Sequence, residues 1–472
     1  MSGLFGSLSS GVKALNAQSR ALETAGRNIA NVNNANYARQ RVVLGDRGTV
    51  LTAEGAQSLG VEAKQVEQLR DTLLDRQVTR EIALTSSLSA RQSAYEKAQA
   101  ALGQSVDRSA SASSTNTTTG GGIAGAMGDF FSAVDALATS PTDTGVRQTL
   151  LQKASVLTDS LQQADTRLGQ LQGDLTEQVK TDVGEVNTLL STIATLNGQI
   201  GHFEINAPGS AADLRDQRQA ALEKLATKMN FETRPSATAA GQIDVIAHDA
   251  GGADIPLVQL SAVTGPVTLS GSTLTAGSPA TAMNVTSGSI HGNLDARDAT
   301  VQAMRDQLDA MAGQLVSSVN DAYNPTGATG DFFESSGTTA GTIALKAGLT
   351  ATTLKASDGG AAGDNTLALA VAKLSDHSFS TAGGDAIDGT FTQYYAGVVS
   401  NLGAVASRAS DQYDDQLNIE NIVRSQRDSI SGVSMDEELA DLVKYQRSFQ
   451  ASSRFIQVID ELLDTIVNRL GA

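Results

Sequence analysis

Apolar residues recur every seven positions at both ends of this chain. Near the start, Leu8, Leu15, Leu22 and Ile29 form one row, with Val12 and Ala25 beside it. That spacing puts one narrow stripe on an α-helix. Near the end, Met435, Leu442, Phe449, Ile456, Leu463 and Leu470 keep the same register without exception. The companion row, Leu439, Gln446, Ser453, Asp460 and Val467, is diluted by polar residues. A stripe that narrow suits one or two partner helices and not burial on all sides. The economical reading is that the two ends pair with each other and the rest of the chain nests between them.

The middle is patterned differently. A helix is predicted from about Leu69 to Leu102, a Ser/Thr/Gly loop over Ser109 to Gly122, and a short amphipathic helix from Ile123 to Leu137 that ends near Pro141. Two apolar rows then run together: Leu161, Leu168, Leu175, Leu189 and Leu196, and Val179, Val186, Ile193 and Ile200. They predict one long helix from Val146 to Ile200, stable only when packed against others. A short helix around Leu214 to Leu225 follows Pro208-Gly209, and from Phe231 to Ile290 alternation such as Ile243-Asp244-Val245-Ile246 predicts short strands. Helix returns over Leu294 to Tyr323. A Gly-rich segment, Asn324 to Ala386, contains a possible strand at Thr342 to Leu345 and a helix near Leu367 to Leu374. The first helix is expected to stop in the Asn-rich run Asn28 to Asn36, where Asn36 can supply a left-handed turn residue.

Composition removes several function classes. The 472 residues carry a formal charge of -17, which argues against a nucleic-acid partner, and contain no Cys, which excludes disulfides and thiolate chemistry. No run of about 18 apolar residues suggests membrane insertion. The start lacks the basic and apolar regions of a cleaved signal peptide, so export, if any, is expected to use another route.

Candidate chemistry is sparse. His202, His248, His291 and His377 are scattered, and no His-Glu-x-x-His, serine-hydrolase elbow or Gly-Lys dipeptide occurs. Gly120, Gly122 and Gly125 spell a phosphate-loop pattern, but no buried strand precedes it. The sequons at Asn116 and Asn284 and the partial calcium pattern at Asp385 and Asp388-Gly389 read as chance and as a turn. The acidic cluster Asp436-Glu437-Glu438 reads as the first turn of the last helix, favoured by the helix dipole with Ser434 as cap. No catalytic residue, cofactor or metal ligand is nominated. A secreted enzyme with a catalytic insertion would need ligands gathered around His248, and the insertion offers only scattered Asp.

Two motifs change this picture. Asn28-Ile29-Ala30-Asn31-Val32-Asn33, followed by Tyr37-Ala38-Arg39-Gln40, resembles the N-terminal signature of bacterial flagellar axial proteins. At the other end, Ser431-Gly432 with Glu437-Glu438, then Tyr445-Gln446, resembles their C-terminal signature. With the long central helices, the whole is most similar to the flagellar hook-associated protein 1 family; hook and distal-rod subunits are the nearer alternative. The resemblance implies a structural subunit of the hook-filament junction, exported through the flagellar type III apparatus. It would self-associate as a ring or helical zone and bind the hook protein, a second junction protein leading to the filament, and an export chaperone.

The expected fold is mainly α with β insertions. Residues 1–60 with 425–472 would form a terminal coiled-coil assembly domain, 61–230 with 290–424 a long-helix bundle that includes the Gly-rich insertion 324–386, and 231–289 a β-rich outer domain. The assembly interface is assigned to the two heptad rows together with Val12.

Overall fold

The computed structural model describes residues 2–466, apart from 47, 53, 54, 59, 103–121, 360 and 362. The loop expected at 109–121, Gly120, the Asn116 sequon and Leu470 lie outside these residues. The chain is mainly helical with small antiparallel sheets. It divides into two compact units, one of Met1–Ser86, Asp182–Gly288 and Asp415–Ala472, the other of Ser87–Thr181 and Ser289–Asp414.

The first unit opens with α1 (Ser2–Ala30), followed by β1 (Gln40–Asp46), the hairpin β2 (Thr49–Thr52) and β3 (Gly55–Ser58), and β4 (Val61–Gln68). β1 and β4 pair antiparallel, with Val42 opposite Val66. The β2–β3 hairpin carries no periodic apolar signal and was not expected. The start of α2 (Thr72–Ala101), the end of α4 (Thr144–Phe203) and α5 (Ala212–Lys228) follow. β5 (Glu232–Pro235), β6 (Ile243–His248), β7 (Asp254–Gln259) and β8 (Ala262–Val263) form a four-stranded sheet in chain order. β9 (Thr268–Ser270), β10 (Thr273–Ala276) and β11 (Thr281–Ala282) form a second sheet with β10 central. The unit closes with the end of α9 (Phe391–Ser431) and with α10 (Met435–Asp464), which packs along α1.

The Asn-rich run differs from the expectation in its geometry. No described residue between 31 and 39 has a positive φ, so Asn36 is not left-handed. The chain turns instead through hydrogen bonds of the Asn side chains. The Asn31 amide donates to the Arg27 carbonyl at 2.9 Å, and the Asn36 backbone N–H donates to Asn34 Oδ1 at 3.2 Å.

The second unit has one continuous apolar core made by α3 (Ile123–Thr139), the first part of α4, α7 (Gln302–Tyr323), α8 (Thr366–Ala372) and the start of α9. α6 (Ser289–Asp295) runs into α7 through a π-helical stretch, Ala296–Val301. Phe130, Phe333 and Phe391 are fully buried, and the Phe379 ring packs tilted against Phe391 with centroids 4.8 Å apart. Thr342–Leu345 is not a strand: the segment makes one isolated bridge, Phe333 with Leu345. Buried Asn320 fixes the turn there, donating to the Phe333 carbonyl and accepting from the Phe332 and Phe333 N–H groups.

Along α4 the buried positions include Leu161, Leu168, Leu175, Val179, Val186, Leu190, Ile193 and Ile200, whereas Leu189 is only half-buried. At Leu189 the neighbouring Leu190 takes the fully buried place, and the row resumes with Leu196, which is 7% exposed. Truncating Phe333 to Ala should destabilise the second unit by about 3–5 kcal/mol, measured by urea denaturation, because its pocket is closed on all sides and cannot collapse.

Candidate functional site

The two sequence signatures meet in the first unit. The last helical turn of α1 supplies Asn28, the residue before β1 is Arg39 and its first residue is Gln40, and the first turn of α10 supplies Glu437 and Glu438. Asn28 is 1% exposed, Gln40 2% and Glu438 2%, so the contact is dry. The Asn28 amide nitrogen donates to the Gln40 carbonyl at 2.8 Å and to Glu438 Oε2 at 2.9 Å. Its oxygen accepts from the Gln40 N–H at 3.0 Å and from the Tyr37 hydroxyl at 2.8 Å. All four hydrogen-bonding sites of the amide are therefore filled, which is what permits its burial.

Glu438 is bound from its other side by Arg39, whose Nε donates to Oε1 at 2.6 Å, while Nη1 donates to Glu437 at 2.6 Å. Burial works against the Arg39 charge, but the two carboxylates outweigh it and hold its pKa above the ordinary value. Burial, reinforced by Asp216, Asp213 and Glu438, pushes the Tyr37 phenol far above its usual range, so it remains a neutral donor. The backbone completes the seam: the Arg39 N–H donates to the Ser431 carbonyl at 2.8 Å, and the Leu69 N–H donates to the Arg39 carbonyl. Gly432 is required here, because a Cβ on it would lie 2.3 Å from the Asp428 carbonyl oxygen.

α5 and α2 brace the motif from below. Gln40 donates to Asp213, and the Ala38 N–H faces Asp216. Arg70 lies between Asp216 and Asp75 at 2.6 and 3.0 Å. One guanidinium serves two buried carboxylates, so burial dominates and pushes Asp216 up to about 6, with Asp75 also raised. Arg427 on α9 donates to Glu223 on α5 at 2.7 Å and reaches the Ala35 carbonyl.

The acidic cluster at 436–438 is thus more than a helix start. Ser434 stands at the cap position with extended backbone, but its side chain makes no capping hydrogen bond, and Glu437 and Glu438 are spent on Arg39. A carboxylate paired with an Arg nearly 400 positions away leaves no local signal in a sequence. Among the other motif residues, Asn31 ties back to α1 and Ile29 is half-buried, while Ala30, Asn33 and Gln446 are exposed. Tyr445 is half-buried on the α10 surface, with the Lys444 ammonium 5.9 Å from its ring centroid.

The assembly rows take an unexpected position. The buried face of α1 is made of small residues, Gly11, Ala17, Ala21, Thr24 and Ala25, leading to Asn28. Leu8, Leu15, Leu22 and Ile29 are half-buried and Val12 is 43% exposed. On α10, Leu442, Phe449, Ile456 and Leu463 are half-buried and Met435 is exposed; Ile456 and Phe455 approach so closely that a Cβ on Gly11 would lie 3.0 Å from Ile456. Only Glu438 and Ile459 of α10 are buried.

The remaining sequence features lie in ordinary structural contacts. His248 lies 3.3 Å from Glu232 and 3.2 Å from Asp254 across the sheet, and both carboxylates also bind Arg234. Asp385 and Asp388 accept from the Ser380 and Thr381 N–H groups, as in a turn. Among the described residues, no group of three or more His, Asp or Glu is placed to hold a metal ion. No described helix is long and apolar enough to cross a membrane.

Comparison with known proteins agrees with the two signatures. The pattern of the flagellar hook-associated protein FlgK helical domain matches residues 110–333, and that of the flagellar basal body rod FlgEFG protein C-terminal region matches 424–470. Flagellar hook-associated protein 1 of Bacillus subtilis (strain 168) is 26% identical over 528 residues, covering 100% of this chain and 99% of its own. The protein of the same name from Salmonella typhimurium (strain LT2) is 23% identical, covering 97% and 98%. A solved structure described as the flagellar hook junction protein FlgK from Burkholderia pseudomallei has a TM-score of 0.44 at 24% identity, covering 52% of this chain and 43% of that one.

Two substitutions test the site. Asn28→Asp keeps the shape but places a second carboxylate against Glu438, so it should cost at least about 3 kcal/mol and speed hydrogen exchange at the α1–α10 seam. Asp216→Asn tests the bracing charge. A carboxyl raised to about 6 in the fold contributes stability that is complete below its ordinary pKa and is lost as pH rises through 6. The stability of the native chain relative to the Asn variant should therefore fall between pH 4.5 and 7.5 in denaturant titrations; a rise would mean that pairing with Arg70 outweighs burial.

Proposed function

Because the chain belongs to the flagellar hook-associated protein 1 family, we infer that it is a structural subunit of the extracellular flagellum that polymerises at the hook tip and joins hook to filament. The observation that carries the assembly mechanism is the undercovered last helix. α10 spans 30 residues, yet Ile459 is its one buried apolar side chain among the described residues. Leu439, Val443, Phe455, Val458 and Leu462 are each 46–54% exposed along it. A monomer rarely leaves such a length of apolar surface uncovered unless a partner covers it.

In this reading neighbouring subunits cover α10 and the Leu8, Leu15, Leu22, Ile29 row of α1, so that self-association produces a ring or short helical zone. The hook protein would meet one end of that zone and the second junction protein the other. An export chaperone would shield the same stripe before assembly. The terminal pair, the long-helix bundle and the β-rich segment 231–289 serve as assembly, spacer and outer parts. No catalytic step is assigned to the chain.

The match of residues 110–333 to the FlgK helical domain favours a junction role over a hook or rod subunit, which the shared C-terminal region alone would leave open. Cells lacking the gene should carry hooks without filaments and lose flagellin to the medium; normal filaments would refute the junction role. Leu462→Asp, at a half-exposed position, should leave the subunit folded by circular dichroism and reduce its incorporation into isolated organelles at least tenfold. Unchanged incorporation would remove α10 from the interface.

A further inference from the structure

The first unit holds a cavity of about 530 Å³ enclosed by the start of α2, by α5 and by the chain entering β5. Its size lies within the range of roughly 300–1,000 Å³ usual for small-molecule sites. In a chain of net charge -17, this cavity is lined by six arginines, residues 70, 76, 80, 215, 218 and 234.

Most of that charge is spoken for. Arg70 binds Asp75 and Asp216, Arg215 binds Glu204 at 2.7 Å, and Arg234 binds Glu232 and Asp254. Of the carboxylates among the lining residues, Glu232 is engaged by Arg234 and Asp75 binds Arg70 through one oxygen. Arg218 is different. It is 92% buried by its 8% exposure, and its hydrogen bonds run from Nη1 alone, to Asn197 Oδ1 at 2.7 Å and the Gly241 carbonyl at 2.8 Å. Both acceptors are neutral, and no carboxylate pairs with it among the described residues. Burial and the neighbouring Arg215 push its pKa down to about 10, outweighing the more distant carboxylate of Glu204, which is itself bound to Arg215. Its seat is rigid: Asn197 is fully buried and its amide nitrogen donates to the Ile243 and Leu260 carbonyls. A buried cation with no carboxylate in direct contact is costly unless something supplies one. The remaining wall is apolar, formed by Ala83, Leu222, Ala226, Met229 and Phe231.

We propose that this cavity binds an amphipathic organic anion, with a carboxylate or phosphate head on Arg218 and an apolar body against Leu222, Met229 and Phe231. Arginine forks match both head groups. The apolar wall gives such a molecule its advantage over inorganic anions, and the exposed lining residues Arg76 and Arg80 raise the local concentration of anions. The site is independent of the assembly surface on α10.

The test uses the full-length subunit and 8-anilinonaphthalene-1-sulfonate as a fluorescent apolar anion, displaced by octanoate, octyl phosphate or 1-octanol. Octanoate or octyl phosphate should displace the dye at least tenfold more effectively than 1-octanol, and the stronger of the two identifies the head group. Arg218→Met, which keeps the bulk and removes the charge, should weaken binding of the anion at least tenfold while leaving the circular dichroism unchanged. Should that variant fail to fold, Thr79→Trp narrows the cavity without touching the hydrogen bonds of Arg218 and should also abolish displaceable binding. Equal displacement by 1-octanol, or displaceable binding that survives in Thr79→Trp or in folded Arg218→Met, would overturn the proposal.

Discussion

The carboxylate of Glu438 joins two segments that lie 410 positions apart in the chain. Buried almost completely, it is tolerable only because Asn28 and Arg39 bind it from opposite sides. Removing a carboxylate from water costs several kcal/mol before any partner is counted, so a register that misplaces either partner leaves an uncompensated charge. Apolar stripes of alanine and leucine can slide past each other by a turn at modest cost. The Asn28–Glu438–Arg39 contact cannot, and it therefore fixes how α1 lies on α10. The bonds from Asn28 to both backbone groups of Gln40, and from the Arg39 N–H to the Ser431 carbonyl, extend the same constraint to β1 and to the end of α9.

That constraint explains the unusual use of the α1 surface. To bring the backbone of α1 close enough for Asn28 to reach Glu438, the inner face is built from Gly11, Ala17, Ala21 and Ala25. Small residues give close approach and little buried area, so the pair gains less from apolar burial than leucine packing would provide. The leucines are displaced to the flank, where they are half-covered. One helix thus carries two faces: a small-residue face closing on its own C-terminal partner, and a larger apolar row that stays half-covered.

The helices, their approximate ends and the pairing of the termini were legible because a seven-residue apolar repeat is a strong one-dimensional signal. The inner face of α1 was not, since alanine and threonine carry little hydropathic contrast and their burial depends on what lies opposite. The acidic turn at 436–438 already had a sufficient local explanation in the helix dipole, which hid its long-range partner. The Asn-rich run was read through backbone preference, whereas the structure uses its side chains as hydrogen-bonding groups and leaves every φ negative. The β2–β3 hairpin and the Arg218 cavity were invisible for another reason: four-residue strands have no measurable period, and the cavity arginines are spread from 70 to 234.

Charge distribution decides between the ways in which such subunits can associate. α1 carries three basic residues and one acidic, whereas α10 carries seven acidic and three basic. Two copies meeting through their α10 helices would bring like charge together beside the apolar row. The repulsion acts over roughly 10 Å at 0.1 M salt, about the spacing of packed helices. An α1 flank meeting the α10 of the next subunit places opposite signs side by side, on the pattern already present within each subunit. That contact joins unlike surfaces, so it propagates head to tail, and a head-to-tail contact closes into a ring or continues as a helix according to its rotation angle alone. In the proposed assembly the net charge of the chain would keep subunits apart at long range, while the opposite charges of the terminal helices would favour, at short range, the head-to-tail contact.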